Sequence, residues 1–477
     1  MLNGGGGLNP DGLSLDLQFA ADKTLTARRG PTPSFSRASS GTFVNANGLI
    51  VGKTEGTTSS ITPSTQAIGS QVTVTVASDS VVGWVVGQAI SLIVDTDGQD
   101  DPDATELWLL GNIVSTTGTT LVFEVTSRTA QAGSATSWTL GYRGPRFDHT
   151  AAGMCRGLLI EESRTNTCRQ SENFGSFWSA GGCAVSVNTD VAPDGNTTAD
   201  SVNITNGGGH FVQQNISVSA STVYTFSFWV KRGTATALSY SIVNNNTTSN
   251  IVAPTSYYNQ TSSAWARVSF TFTTPVGCTS IAIYTLRDGG STGTVLLWGA
   301  QLEAGSFATS YIQTMAGSAV RSADVCSITG ADFTSFWNNN EGTVYASGDP
   351  RASGGAVSTY LMANSGANTN QISIYRNAGS NFYGVASSGS YTANISASSA
   401  SGSFNKIAGA YITNNARAAF NNVLGTPDTS VIVPTNLNRF NIGSSSTAST
   451  EFANGCIAEI KYFRKPLSNA KLQALTV

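Results

Sequence analysis

Hydrophobic and polar residues alternate in short runs along most of this chain, which is the period of half-buried β-strands. Leu15, Leu17 and Phe19 fall on one side of 14–19. Val72, Val74 and Val76 alternate with Thr73 and Thr75, and apolar runs at 85–90, 121–125 and 137–140 predict further strands. Tyr224, Phe226, Phe228 and Val230 share one face, as do Val268, Phe270 and Phe272, and Ile281 with Ile283. A buried aromatic contributes about 2–3 kcal/mol, so such faces decide the register of their strands. Toward the end Ile372 alternates with Ile374, and Ile407 with Gly409 and Tyr411; 439–443 and 456–463 predict two more strands. A short helix is predicted from Ser468, a good N-cap residue, with Leu472 and Leu475 on one face. Leu158, Leu159 and Ile160 form a short buried strand that Glu161, Glu162 and Arg164 end with charge.

Strands at this spacing predict an all-β, multi-domain protein of antiparallel β-sandwiches. Composition supports that class. Only 11% of the 477 residues are charged, against about 25% in ordinary soluble domains, and 50 are glycine. Neutral hydroxyls and amides must therefore cover the surface, which suits hydrogen bonding to sugars or permanent assembly with other subunits. A net charge of −3 without a basic cluster does not suit nucleic acid. No apolar run reaches the ~18 residues that span a bilayer, so membrane insertion is not expected. The start, MLNGGGGLNPDG, lacks the basic and apolar regions of a signal peptide, so synthesis in a cytoplasm is expected. Cys155, Cys168, Cys183, Cys278, Cys326 and Cys456 are scattered and read as free, mostly buried thiols.

The stretch GLLIEESRTN, 157–166, resembles a junction that recurs in tailed-phage virion proteins, where it precedes a tryptophan and an APDG…TAD segment. Here the matching residues are 157–161, 164–166, Trp178, 192–195 and 198–200. GAQLEAGSFATSYIQT, 299–314, resembles the close of the same phage domain, which looks like a carbohydrate-binding-module jelly roll; Gln313 stands where that pattern has proline. The end, 454–475, is similar to the last strand and helix of concanavalin A-like, laminin-G-like sandwiches. An FSRAS stretch that normally runs shortly into PRFD is separated from it here by roughly 90 residues, as when a domain is inserted at a surface loop. The resemblance thus divides the chain into an N-terminal tether and β-segment, 1–56, completed by 143–160; an inserted small β-domain, 57–142; a jelly roll, 161–318; and a concanavalin A-like sandwich, 319–477. At the junction, Leu158, Leu159 and Ile160 are expected to pack where the N-terminal region meets the jelly roll, with Arg164 paired to a carboxylate.

Few residues invite chemistry. Gly289-Gly290-Ser291-Thr292-Gly293 matches G-x-S-x-G, but a strand follows it and His149 and His210 both precede it, so it reads as a turn. Glycoside hydrolysis needs two carboxylates about 5–9.5 Å apart. The last domain offers none two positions apart on one strand, and Glu161 and Glu162, being adjacent, point to opposite faces. No catalytic residue and no enzyme activity are expected. Asp95, Asp97, Asp100, Asp101 and Asp103 form one acidic run, either a candidate calcium loop or a solvated hairpin tip; no other cofactor is expected. Trp229, Trp298, Tyr240 and Tyr284 are candidates for stacking on sugars. Trp229 faces away from Tyr224, Phe226 and Phe228, so it is either open on a concave face or buried against another layer.

The expectation is a non-enzymatic virion structural protein, a fibre or spike subunit at the particle surface whose lectin-like domains serve host attachment. A capsid decoration or head-fibre protein is the alternative, and a polysaccharide-degrading tailspike a minor one. Expected partners are other virion proteins, further copies of this chain in a homo-oligomer, most simply a trimer, and a host-surface glycan.

Overall fold

Alternating Val, Ile, Thr and aromatic residues build strands almost throughout. In a computed structural model the described residues are 11–76, 81, 84–94, 106–287, 290–351, 357–377, 379–398, 404–445 and 451–477, apart from the Glu55 side chain. Among them the α-helices are the short Phe19–Asp22, Gly330–Phe336 and Asn469–Leu475. The protein is all-β and multi-domain, built of antiparallel sheets, one of them closed into a small barrel. Its chain falls into two compact units: Met1–Arg37 with Pro145–Glu162 and Ala323–Val477, and Ala38–Gly144 with Ser163–Ser322.

The first unit is a two-sheet sandwich. One sheet runs Arg146–His149, Cys155–Ile160, Gly455–Phe463, Glu341–Gly348, Asn405–Ile412, Asn415–Phe420 and Val423–Leu424, with Leu13–Leu17 also paired to Gly455–Phe463. The other runs Ser34–Ser36, Val325–Thr329, Arg439–Ile442, Ser358–Asn364, Gln371–Asn377, Ser380–Ser387 and Ser390–Ser398. The helix Asn469–Leu475 lays Leu472 on Tyr345, Ala408, Ala410 and Ala419, covering the first sheet; its N-cap is Ser468, whose hydroxyl makes no capping bond. Leu15, Leu17 and Phe19 are all buried, though Phe19 starts a helical turn and does not extend the strand.

Within the N-terminal segment Phe43–Val44 pairs with Ile50–Val51, while its first strand joins a larger sheet. Leu13–Leu17 and Cys155–Ile160 both pair with Gly455–Phe463, so the junction strand is built into the last sandwich. Leu158, Leu159 and Ile160 are buried there, between Arg146–His149 and Gly455–Phe463. Gly157 has φ +120°, and a Cβ there would run into the Ile457 carbonyl, which explains the glycine that opens the motif.

Beside this strand lies a buried cluster of charge. Arg146 pairs with Glu161 at 2.8 Å and with Asp324 at 2.5 Å, and Arg37 with the other Asp324 oxygen at 2.8 Å. The backbone closes it: Glu161 N donates to Asp324 Oδ2 and Asp324 N to Glu161 O. Burial opposes the charge on Arg146, but Asp324 and Glu161 outweigh it and push its pKa up. The junction's buried ion pairs to Glu161 and Asp324 thus belong to Arg146 and Arg37. Arg164, beyond the unit boundary, lies 4.9 Å over the Phe307 ring.

The second unit holds a barrel and a sandwich. Ala135–Tyr142, Lys53–Ile61, Gln71–Val76, Thr120–Arg128, Trp108–Thr117 and Ala89–Ile93 close on themselves in that order. Val72, Val74 and Val76 point into the barrel, as alternation requires. Residues 85–88, read from sequence as strand, precede Ala89–Ile93 as a turn. The acidic run at 95–103 lies outside the described residues, as does most of the glycine-rich start. The sandwich has one five-stranded sheet of Ser179–Gly181, Phe211–Ser217, Ser280–Arg287, Ser239–Asn244 and Ser249–Ser256. Its second five-stranded sheet is Cys183–Asp190, Ala199–Ile204, Gly293–Ala304, Val223–Arg232 and Ala266–Thr273. Phe226, Phe228, Val268, Phe270, Phe272, Ile281 and Ile283 meet in the core between them.

Asp324 serves both buried arginines, so Asp324→Ala strands two guanidinium groups without their shared carboxylate. A loss of about 3–5 kcal/mol is expected for such a broken buried pair. Urea unfolding, followed by a probe in the first unit, checks this; a parental midpoint contradicts it.

Candidate functional site

The outer face of the Phe211–Ser217 and Ser280–Arg287 strands carries aromatic and polar groups together. Along Phe211–Ser217, Val212 and Ile216 turn into the core, which leaves Phe211, Gln213 and Asn215 outward. In the partner strand Ile281 and Ile283 point inward and Tyr284 outward. Regular alternation would then send Arg287 to the opposite face from Tyr284. The register instead shifts: Gln213 pairs with Tyr284 but Val212 with Leu286, so Thr285 is an extra, bulged residue. Leu286 returns to the core and Arg287 comes out beside Tyr284, its guanidinium 4.4 Å over that ring.

Phe211 completes this patch, edge-on to Tyr284 at 6.3 Å. Ser241 lies directly across from Tyr284, and Arg287 Nη1 reaches its hydroxyl at 3.5 Å. Gln213 is half-buried, and its Oε1 lies buried with no hydrogen-bond partner. An unmet buried acceptor costs about 1–3 kcal/mol. Exposed Asn215 and Asn245 extend the polar margin, joined by a 3.1 Å amide bond. Rings beside a guanidinium and several amides can take the apolar face of a sugar and bond its hydroxyls.

The other sequence candidates sort around this face. Tyr240, next to Ser241, points the opposite way; it is 9% exposed and stacked on Phe270 at 3.5 Å inside the core. Trp229 and Trp298 come together on the outer side of the second sheet, edge-on at 5.3 Å, with Tyr311 5.4 Å from Trp229. Arg267 covers Trp229 at 4.3 Å, and Trp298 is buried against Ile50 and Tyr311. Trp229 is half-buried. His210 is buried, with Nδ1 2.9 Å from the Asn206 carbonyl. Among the described residues no three His, Cys, Asp or Glu side chains are grouped to hold a metal ion.

Trp298 and Tyr311 also wall a pocket of about 190 Å³ whose other lining includes Lys53, Glu172, Asp194, Asn196, Thr198 and Gln313. A neighbouring pocket of about 370 Å³ shares Lys53, Glu172, Thr198 and Gln313 with it. The polar groups of the first pocket bond one another. Tyr311 donates to Glu172 at 2.9 Å, Trp298 Nε1 to Thr198 Oγ1 at 3.0 Å, and Asn196 to Asp194 at 2.9 Å. Glu172 keeps part of its surface on the pocket, but its carboxyl is enclosed; burial and then the Asp194 charge push its pKa up to about 7 against bonds from Tyr311 and Gln313. Burial raises Asp194 too, and takes Asp200 to about 6 despite backbone bonds from Asn188 and Phe174. Burial and the Glu172 charge raise Tyr311 well above its ordinary value. Sequence reasoning missed Glu172 and Arg287. Asp194 and Gln313 lay in plain view, as parts of the APDG and SYIQT stretches, with nothing local to mark them as neighbours.

Residues 170–286, which contain Phe211, Gln213 and Tyr284, match the family model described as a carbohydrate binding domain. Among solved structures, the chain resembles the CBM40 module of the Ruminococcus gnavus IT-sialidase bound to alpha2,3 sialyllactose, at 16% identity and TM-score 0.26, over 29% of this chain and 82% of that one. It resembles domain 4 of AbnA, an extracellular arabinanase of Geobacillus stearothermophilus in complex with arabinotriose, at 15% identity and TM-score 0.27, over 36% and 82%. It also resembles the enzymatically active domain of bacteriophage CBA120 tailspike protein 4, at 16% identity and TM-score 0.24, over 29% of this chain and 21% of that one. No curated protein matches.

The raised Glu172 carboxyl makes a signed prediction. The folded state holds this proton more tightly than the unfolded chain, so the contribution of Glu172 to stability falls as pH rises from its ordinary 4.5 to about 7. Asp194 and Asp200 are raised too and act with the same sign in parent and variant, so the difference between the two proteins reports Glu172. Melting temperatures of parent and Glu172→Gln are expected to diverge as pH rises from 4.5 to about 7, the parent falling more steeply than the variant. Parallel curves contradict the assignment.

Proposed function

We propose that this protein is a non-enzymatic structural subunit of a tailed-phage particle, displayed at the virion surface, whose second unit attaches to a host-surface glycan through the Phe211, Tyr284 and Arg287 face. The observation that carries the reading is the bulge at Thr285, which sets a guanidinium over an outward-facing tyrosine within a sandwich whose residues 170–286 match a carbohydrate-binding family. The Phe211, Tyr284 and Arg287 side chains lie outside the core cluster of this sandwich.

The virion assignment rests on the resemblance of 157–166, 192–195 and 198–200 to phage proteins, and on a surface poor in charge. A homotrimer fits it, because single stacking contacts on sugars are weak and several on one particle multiply. The inserted barrel then serves as a spacer or an interaction module beside the binding sandwich.

An array of bacterial surface polysaccharides, probed with the full chain and with the Tyr284→Ala, Arg287→Ala double variant, tests the reading. Parental binding to at least one glycan is expected, weakened tenfold or more in the variant, about 1.4 kcal/mol, with the melting curve unchanged. Equal binding by parent and variant places the site elsewhere.

A further inference from the structure

The sheet that carries the candidate face holds a single charged residue. Its strands, Ser179–Gly181, Phe211–Ser217, Ser280–Arg287, Ser239–Asn244 and Ser249–Ser256, contain no Asp, Glu, Lys or Arg except Arg287. The opposite sheet of the same sandwich is balanced: Asp190, Asp200 and Glu303 stand against Lys231, Arg232 and Arg267. Ser280–Arg287 is also the middle strand of its sheet, with two strands on either side. The bulge at Thr285 therefore sets the one charge of this sheet on its outer face, at the end of the central strand.

Among the described residues Arg287 forms no ion pair. Its guanidinium has the Tyr284 ring at 4.4 Å and one long contact, from Nη1 to the Ser241 hydroxyl at 3.5 Å. A ring face attracts a cation but does not cancel its charge. Stacking uses the flat face of a guanidinium and leaves its edge of N–H donors to bond in the plane. Those donors match, in pairs, the oxygens of a carboxylate or a phosphate. Phe211 lies directly across from Arg287 in the neighbouring strand, and Gln213 across from Tyr284. Phe211, Tyr284 and Arg287 are each half-buried, so their apolar bodies are held by the sheet while part of each surface meets solvent. The neutral strands around Arg287 leave its field unopposed on this face.

We infer that this face selects an acidic glycan and that Arg287 decides the selection: a sugar ring lies against Phe211 and Tyr284 while its carboxylate, or a phosphate on it, takes the free edge of the guanidinium. That a glycan binds here at all rests on the function proposed above. The preference for negative charge rests on the charge pattern of the sheet and on the geometry at Arg287. The net charge of the whole chain is −3, so attraction to an acidic polymer is a property of this face and not of the protein surface at large.

An array of neutral, uronate-bearing and phosphate-bearing bacterial polysaccharides, probed with the full chain, tests this. The acidic polymer bound most strongly is then compared with its neutralised form. Reducing carboxylates to alcohols and removing phosphates are done separately, and the treatment that lowers binding tells which anion is read. The parent is expected to bind acidic polymers best and to lose roughly tenfold or more on neutralisation. In Arg287→Gln, whose melting curve is expected to match the parent's, the same treatment is expected to cost about threefold or less. Tyr284→Ala is expected to weaken binding of the acidic and the neutralised polymer alike. Equal parental binding to both forms, with Tyr284→Ala still lowering both, overturns the selection of acidic glycans and leaves the binding face standing. A full parental loss on neutralisation in Arg287→Gln places anion recognition elsewhere and also overturns it. Parental signals that neither Tyr284→Ala nor Arg287→Gln changes, or no signal from the parent at all, overturn the binding face itself and the inference with it.

Discussion

Two arginines and two carboxylates share one dry site in the first unit, and the course of the chain depends on it. Arg37 ends the first segment of that unit, Arg146 stands next to the start of the second, Glu161 next to its end, and Asp324 next to the start of the third. Every point at which the chain leaves or re-enters the sandwich is therefore held to the same cluster. A buried ion pair of this kind gives little net stability, because desolvation nearly cancels its attraction, but an incomplete one is strongly unfavourable. The cluster consequently selects one arrangement of three distant segments, since any other leaves a charge buried alone. Long excursions can then be inserted at these points without disturbing the sheets that flank them.

The alternation of the sequence made the strands legible. Tyr224 to Val230, Val268 to Phe272 and Val72 to Val76 bury the residues that their period assigns to the core. Pairings between distant strands were not legible. Leu158, Leu159 and Ile160 are plainly a buried strand, but nothing near them in sequence says that their partner is Gly455–Phe463. Charge misled in a related way: Arg164 is the arginine that stands beside the two glutamates in the motif, whereas the arginine that meets Glu161 is Arg146, on the neighbouring strand.

The candidate sites depended on departures from alternation, which is why sequence named so few of their residues. Tyr240 and Tyr284 look alike as isolated tyrosines in strands, yet one is core and the other surface because each lies on a different face of its sheet. The bulge at Thr285 re-aims Arg287, and a threonine in a β-strand carries no mark of being the extra residue. The outer face of the second unit's sandwich sets half-buried Phe211 and Tyr284 beside Arg287 and Gln213. A protein with so few charges has few other means of making a specific surface.

The most direct test of glycan attachment is a crystal structure of the full chain soaked with the oligosaccharide that gives the strongest array signal. The account predicts a sugar ring lying against Tyr284, with hydroxyls within hydrogen-bond distance of Arg287 and Gln213. An oligosaccharide bound in the Trp298 and Tyr311 pocket, with the Tyr284 face empty, would contradict it.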